Sequence, residues 1–191
     1  LETIGYTIEE IPEGKELSAD LAAAGSDAGL VVEVKARRED LSLVRDLSAT
    51  PPLQVIESHA PIVHDDYLSD LVHKAAKQIQ CSQKLYPGLG MLWFRSDPEL
   101  GICLATHKMV TTLLGRRYVH VRKSDGFITS AACYLAARAD FFRYKGIDLA
   151  FVEDPDGEGQ LLTNPYSPRL EQARASRLYT LTAATKPGAI N

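Results

Sequence analysis

Residues 30–36 read LVVEVKA, and this stretch decides the fold. Its β-branched side chains, the glycine before it and the charged residues after it are typical of a β-strand. Side chains alternate between the two faces of a strand, so Glu33 and Lys35 share one face and Val32 and Val34 share the other. The clearest strand in the chain therefore carries an acidic and a basic side chain on the same face.

The segments on either side of this strand predict a mixed α/β arrangement. Strand patterns cover residues 4–11 and 17–23, and turn signals separate these segments, which predicts a β-meander. After a long connection rich in proline, residues 65–81 carry apolar side chains at helical spacing. Residues 91–95 form a continuous apolar run that is typical of a buried strand.

The remaining patterns complete the predicted order of elements. A helix ending near Gly115 and strands over residues 117–122, 130–137 and 147–153 give the order β-β-β-α-β-α-β-β-β. We therefore expect an α/β fold with a mixed central sheet that is flanked by helices and extended by further C-terminal strands.

A chain of 191 residues predicts one domain. We place that domain at residues 1–165, with a core over 1–95 and an elaboration over 96–165. Residues 166–191 are predicted to form a peripheral tail, because Gly, Pro, Asn and Ser become frequent after Asp154.

Composition bounds the partners of the protein. The count of 21 Lys and Arg against 25 Asp and Glu gives a net charge of −4, which excludes a strongly basic coat protein but not an enzyme with a local basic rim. The chain has no apolar run long enough to span a membrane and no signal-peptide pattern near its first residue. Its three cysteines form no C-x-x-C pair. These features predict a cytoplasmic protein without a membrane partner.

A second acidic residue, Asp20, lies on the strand that precedes Glu33. The turn near residues 25–29 can bring it into the neighbourhood of Glu33. Two carboxylates and a backbone carbonyl, such as that of Val34, are the hard oxygen ligands that Mg²⁺ and Mn²⁺ prefer. Lys35 could orient an attacking water or stabilise negative charge on a phosphate.

This pattern resembles the PD-(D/E)XK nuclease superfamily, whose fold is restriction-endonuclease-like. The resemblance lies in Asp20 followed by Glu33-Val34-Lys35 within a β-meander, a helix and an apolar strand, and it covers about residues 1–95. It implies that Asp20, Glu33 and the carbonyl of Val34 bind the metal, and that Lys35 is catalytic.

The superfamily often places a further Gln or Lys on the helix after the meander. Gln78 is the candidate for a catalytic role in this chain, with Lys74 as the alternative, and Glu2 could stand for the Glu of the first family helix. The chain departs from the family by having Ala19 before the acidic residue and by its long connection over residues 37–63.

The resemblance implies an endonuclease that uses Mg²⁺ or Mn²⁺ to hydrolyse phosphodiester bonds, with DNA favoured over RNA and a homodimer as one way of cutting two strands. Basic residues flank two of the predicted strands and could contact phosphates, although ordinary surface charge explains them equally well. These are Arg37, Arg38, Arg116, Arg117, Arg122 and Lys123.

Two other interpretations stay open, because an E-x-K triplet is common by chance. The first is a catalytically inactive module of the same fold that binds nucleic acid or protein. The second is an unrelated α/β interaction protein in which Glu33 and Lys35 form a surface pair on an edge strand. Metal uptake tests the first alternative, and carboxylates of Asp20 and Glu33 more than roughly 8 Å apart would favour the second.

Overall fold

A computed structural model of the chain describes residues 1–12, 17–37, 49–51, 65–96, 104–122, 126, 128–154 and 156–184. The described residues form an α/β fold with a six-stranded, open, mixed sheet, a separate two-stranded hairpin and five α-helices. This confirms the predicted α/β class with its mixed sheet. Among these residues, no helix is long and apolar enough to cross a membrane.

The described part of the chain forms eight strands and five α-helices. The strands are β1 (Thr7–Glu10), β2 (Leu21–Ala24), β3 (Leu30–Arg37), β4 (Leu89–Ser96), β5 (Arg116–Arg122), β6 (Ile128–Tyr134), β7 (Leu149–Glu153) and β8 (Gly159–Thr163). The α-helices are α1 (Asp66–Ser82), α2 (Leu104–Leu114), α3 (Asp140–Arg143), α4 (Leu170–Ala175) and α5 (Arg177–Ala184).

The large sheet has the strand order β1-β2-β3-β4-β7-β8. The first three strands form the predicted antiparallel meander, β4 and β7 run parallel to β3, and β8 returns antiparallel to β7. β5 and β6 pair only with each other among the described strands. The strand that carries Glu33 and Lys35, β3, therefore lies inside the sheet with a partner on each side.

Helix α1 covers one face of this sheet. It begins after Asp65, whose side chain accepts a hydrogen bond from the N–H of Leu68 at 3.1 Å and caps the helix. Its apolar stripe is fully buried against inward-facing side chains of β3 and β4 and against α2. The stripe consists of Leu68, Val72, Ala75 and Ile79.

Two strands of the meander are shorter than their sequence patterns. β1 begins only at Thr7, because Gly5 adopts φ 85° and ends a short 3₁₀ turn before it. β2 begins at Leu21, since residues 18–19 bond to α1 and Asp20 forms a bend. β6 also ends earlier than predicted, at Tyr134.

Helices α4 and α5 lie in the segment that sequence patterns predict to be a peripheral tail, and those patterns predict neither helix. They pack on the second face of the sheet, where Ala173 and Leu178 are buried with Leu30 and Val32 of β3. The sheet is thus covered on both faces, as expected for strands that run parallel. The division of the chain at residue 165 stays a prediction.

Candidate active site

The site forms where β2 separates from β3. The two strands pair as far as Leu21 and Val32, and the N–H of Asp20 still bonds to the carbonyl of Val32 at 3.1 Å. At the next position of β3 that faces β2, the Asp20 side chain replaces the backbone as hydrogen-bond partner. Its Oδ2 accepts a hydrogen bond from the N–H of Val34 at 2.7 Å. A carboxylate therefore occupies the position where a strand backbone would otherwise lie.

Glu33 and Lys35 project from β3 towards α1. Glu33 is buried, with 1% of its side chain exposed, whereas Lys35 is 19% exposed. The ammonium of Lys35 donates a hydrogen bond to Oε1 of Glu33 and another, 3.0 Å long, to Oε1 of Gln78 on α1. The structure thus brings together these three predicted site residues, and adds Asp20 across the gap between β2 and β3.

The Glu33 carboxyl is electrostatically unusual. Burial raises its pKa to about 7, the ammonium of Lys35 opposes the shift, and the charge of Asp20 adds to it. Its second oxygen, Oε2, is buried and has no hydrogen-bond partner in the structure. A buried carboxylate oxygen without a donor is costly unless something else neutralises it.

The donor set fits a hard divalent cation. The N–H and C=O of a strand residue point to the same side of the strand, so the carbonyl of Val34 faces the edge where Asp20 lies. Asp20, Glu33 and this carbonyl offer oxygen ligands, and the unpartnered Oε2 of Glu33 is one of them. In the described part of the chain no three His, Cys, Asp or Glu side chains form a metal cluster. Two carboxylates still suit Mg²⁺, which usually keeps several of its waters.

The two candidates on α1 differ in their surroundings. Gln78 is half-buried and contacts Lys35, whereas Lys74 is exposed one turn earlier. Gln78 also donates through Nε2 to the carbonyl of Ser18 at 2.9 Å. Its side chain therefore joins the lysine to the segment that carries Asp20.

The predicted phosphate-contacting residues fall into three groups. Arg37 ends β3, close in sequence to the site, and Arg116, Arg117 and Arg122 lie on β5, in the hairpin outside the large sheet. The other two candidates, Arg38 and Lys123, lie outside the described residues. Their role in binding stays a prediction.

Sequence reasoning did not single out Ser82, the last residue of α1. Its hydroxyl oxygen accepts a hydrogen bond from the N–H of Ala19 at 2.8 Å, and both groups are buried. The available signal was its spacing of four residues from Gln78, which places both on one helix face. That spacing does not predict a role for Ser82, because its hydrogen-bond partner, Ala19, becomes known only from the folded structure.

Comparison with known proteins finds no relative of this chain. The chain matches no protein-family model, no curated protein and no solved structure at a significant level.

Proposed function

We propose that the protein is a metal-dependent nuclease with a restriction-endonuclease-like core. One observation carries the proposal: Asp20, Glu33, Lys35 and Gln78 meet where β2 leaves β3, and the cluster contains a buried carboxylate oxygen without a partner. Such a combination of acidic and basic groups with a perturbed pKa is typical of a functional site.

The connectivity around the cluster supports the same proposal. A meander, then α1, then β4 is the order of elements that the resemblance to the PD-(D/E)XK superfamily implies. In the structure the meander is antiparallel and β4 runs parallel to β3. The E-x-K triplet lies on the third strand of the meander, as the resemblance implies, whereas Asp20 forms a bend directly before the second strand and does not lie on it as predicted.

Each residue has a defined task in this proposal. Asp20, Glu33 and the carbonyl of Val34 hold Mg²⁺ or Mn²⁺. When bound, such an ion lowers the pKa of a water molecule and neutralises charge on a phosphate. Lys35 lies at the partly exposed side of the cluster, where its ammonium can orient the attacking water or stabilise charge on the phosphate. Gln78 orients Lys35 through its Oε1.

The substrate in this proposal is a nucleic acid, with DNA preferred to RNA, in a cytoplasmic protein that could act as a homodimer. Arg37 at the end of β3 is the basic residue nearest to the site in sequence, and β5 carries Arg116, Arg117 and Arg122. Contacts of these residues with phosphates would make binding weaken as salt increases.

Cleavage of plasmid DNA and of labelled RNA, with and without Mg²⁺, tests the proposal. Asp20→Ala and Glu33→Ala should both abolish Mg²⁺-dependent cleavage while the thermal unfolding transition stays cooperative. Glu171→Ala is the matched control, because Glu171 is an acidic residue on α4 whose side chain is 85% exposed. Full activity in either site variant would refute the assignment.

The ion pair between Lys35 and Glu33 favours a second candidate, a catalytically inactive module of the same fold. In that case the lysine replaces the metal as the partner of the buried carboxylate. Titration of the protein with Mn²⁺ in a calorimeter separates the two candidates, since an inactive module should take up no Mn²⁺ that depends on Asp20 and Glu33.

A further inference from the structure

The segment that carries Asp20 is held by helix α1 as well as by a neighbouring strand. β2 begins only at Leu21, so residues 18–19 precede the ladder with β3. Within this stretch the carbonyl of Ser18 accepts from Gln78, and the N–H of Ala19 donates to Ser82. Two side chains one helical turn apart thus fasten the backbone next to the acidic residue.

The bond from Ala19 to Ser82 lies in the buried interior. Ala19 is 1% exposed and Ser82 is 4% exposed, and the N···O distance is 2.8 Å. A backbone N–H in such a place needs an acceptor, because water cannot replace one that is lost. The hydroxyl of Ser82 therefore determines where the N–H of Ala19 sits.

The position of the Ala19 backbone directly affects where the Asp20 side chain lies in the site. Asp20 is the next residue, and its Oδ2 reaches the N–H of Val34, the residue between Glu33 and Lys35. We propose that Ser82 is a positioning residue, which places the Asp20 carboxylate beside Glu33 through its hydrogen bond with the N–H of Ala19. The inference rests on the proposed function for its catalytic meaning, although the placement itself can be measured without metal or substrate.

The metal-free measurement is hydrogen–deuterium exchange of the Val34 amide, because this amide donates to Asp20. In Ser82→Ala we expect the Val34 amide to exchange roughly tenfold faster than in the wild type. The reference is the amide of Gly90, which also donates to a carboxylate, that of Asp148, at 2.7 Å. Its exchange should stay unchanged, which separates a local displacement from general loss of stability.

The functional measurements are Mn²⁺ binding by calorimetry and the steady-state kinetics of cleavage. Removal of residues that orient a metal ligand typically costs about 10- to 100-fold in affinity or activity. We therefore expect Ser82→Ala to weaken Mn²⁺ binding by roughly tenfold and to lower kcat, with the KM for nucleic acid nearly unchanged.

Two variants calibrate the result. Ser69→Ala removes another buried hydroxyl from the same helix, one that donates to Asp140 at 3.0 Å, and it should change neither Val34 exchange nor Mn²⁺ binding. Asp20→Ala removes the acceptor itself and should speed Val34 exchange at least as much as Ser82→Ala does.

The inference is overturned if Ser82→Ala behaves like Ser69→Ala. Should Ser82→Ala fail to fold, Ser82→Thr and Ser82→Val serve instead, because the two side chains are similar in shape and only threonine keeps the hydroxyl. Equal exchange of the Val34 amide in these two variants would also overturn the proposed role of Ser82. A wild-type protein that neither binds Mn²⁺ nor cleaves would contradict the proposed function, while Val34 exchange still decides the role of Ser82.

Discussion

Arg169 reaches back from the residue before α4 to bind Asp148, the residue before β7. Its Nη2 lies 2.6 Å from Oδ2 of Asp148, and its Nε lies 3.2 Å from Oδ1. Asp148 is fully buried, and burial raises the pKa of its carboxyl although Ser167, Gly90 and Arg169 all oppose the shift. The pair joins the C-terminal segment to the centre of the sheet.

Arg169→Ala should therefore lower the free energy of unfolding at pH 7 by about 3 kcal/mol, because it leaves a buried carboxylate without its cation. The loss should shrink at acid pH, where Asp148 is protonated. Urea unfolding at both pH values measures it. Arg174→Ala is the control, since Arg174 pairs with the exposed Glu171, and it should cost less than about 0.5 kcal/mol. Equal losses in the two variants would contradict this explanation.

The buried Glu33 predicts how stability depends on pH when metal is absent. The pKa of Glu33 is about 7 in the folded protein, above the ordinary value of 4.5. Between these two pH values the folded state keeps a proton that the unfolded chain releases. The contribution of Glu33 to the free energy of unfolding is fully present below pH 4.5 and is lost as the pH rises to about 7.

Glu33→Gln should remove that dependence, since glutamine does not titrate. Between pH 5 and pH 8 the wild type should lose more stability than the variant, by on the order of 1–3 kcal/mol, in urea unfolding with EDTA present. Glu171→Gln, in an exposed position, should follow the wild type. A Glu33→Gln profile that also matches the wild type would show that Glu33 ionises normally.

Lys35→Met should separate catalysis from metal binding. In the proposed function Lys35 acts on the water or the phosphate and does not bind metal, so kcat should fall by about 10²- to 10³-fold. Mn²⁺ binding should be at least as tight as in the wild type, because Glu33 loses a competing cation. A calorimetric titration beside the cleavage assay checks both, and weakening of Mn²⁺ binding as strong as in Asp20→Ala would refute this division of roles.

Leu178 tests whether the C-terminal segment belongs to the core. It is 8% exposed and packs in the cluster on the second face of the sheet, so Leu178→Ala should cost about 2–4 kcal/mol in urea unfolding. Leu181 lies on the same helix and is 41% exposed, and Leu181→Ala should stay within about 0.5 kcal/mol of the wild type. Similarly small losses of unfolding free energy in both variants would mean that α5 contributes little to the stability of the folded state.

Local patterns predicted the central part of the fold well. β3 and α1 lie within one residue of their predicted ends, because β-branched alternation and helical spacing act over short distances. The alternation of faces along a strand predicted that Glu33 and Lys35 project together, and the structure has them in contact. Gln78 was a candidate from the resemblance alone; the structure has it in contact with Lys35, and its catalytic role stays a prediction.

The rest depends on contacts between residues far apart in sequence. The sequence pattern predicts that residues 18–19 belong to β2, because the residues around them have strand propensity. In the structure these two residues instead bond to side chains of α1, some sixty residues away in sequence. Helices α4 and α5 escape prediction because they are short, with six and eight residues, and only the sheet face that they cover explains their buried residues. No local signal identifies such partners.

Asp20 is exposed and Glu33 is buried, so the two carboxylates of the proposed metal site would differ in how a cation reaches them. Asp20 would meet an approaching ion in solvent, whereas Glu33 would have to exchange its contact with Lys35 for one with the ion. In the proposed function the outer carboxylate would therefore act mainly on the capture of the ion, and the inner one mainly on its retention.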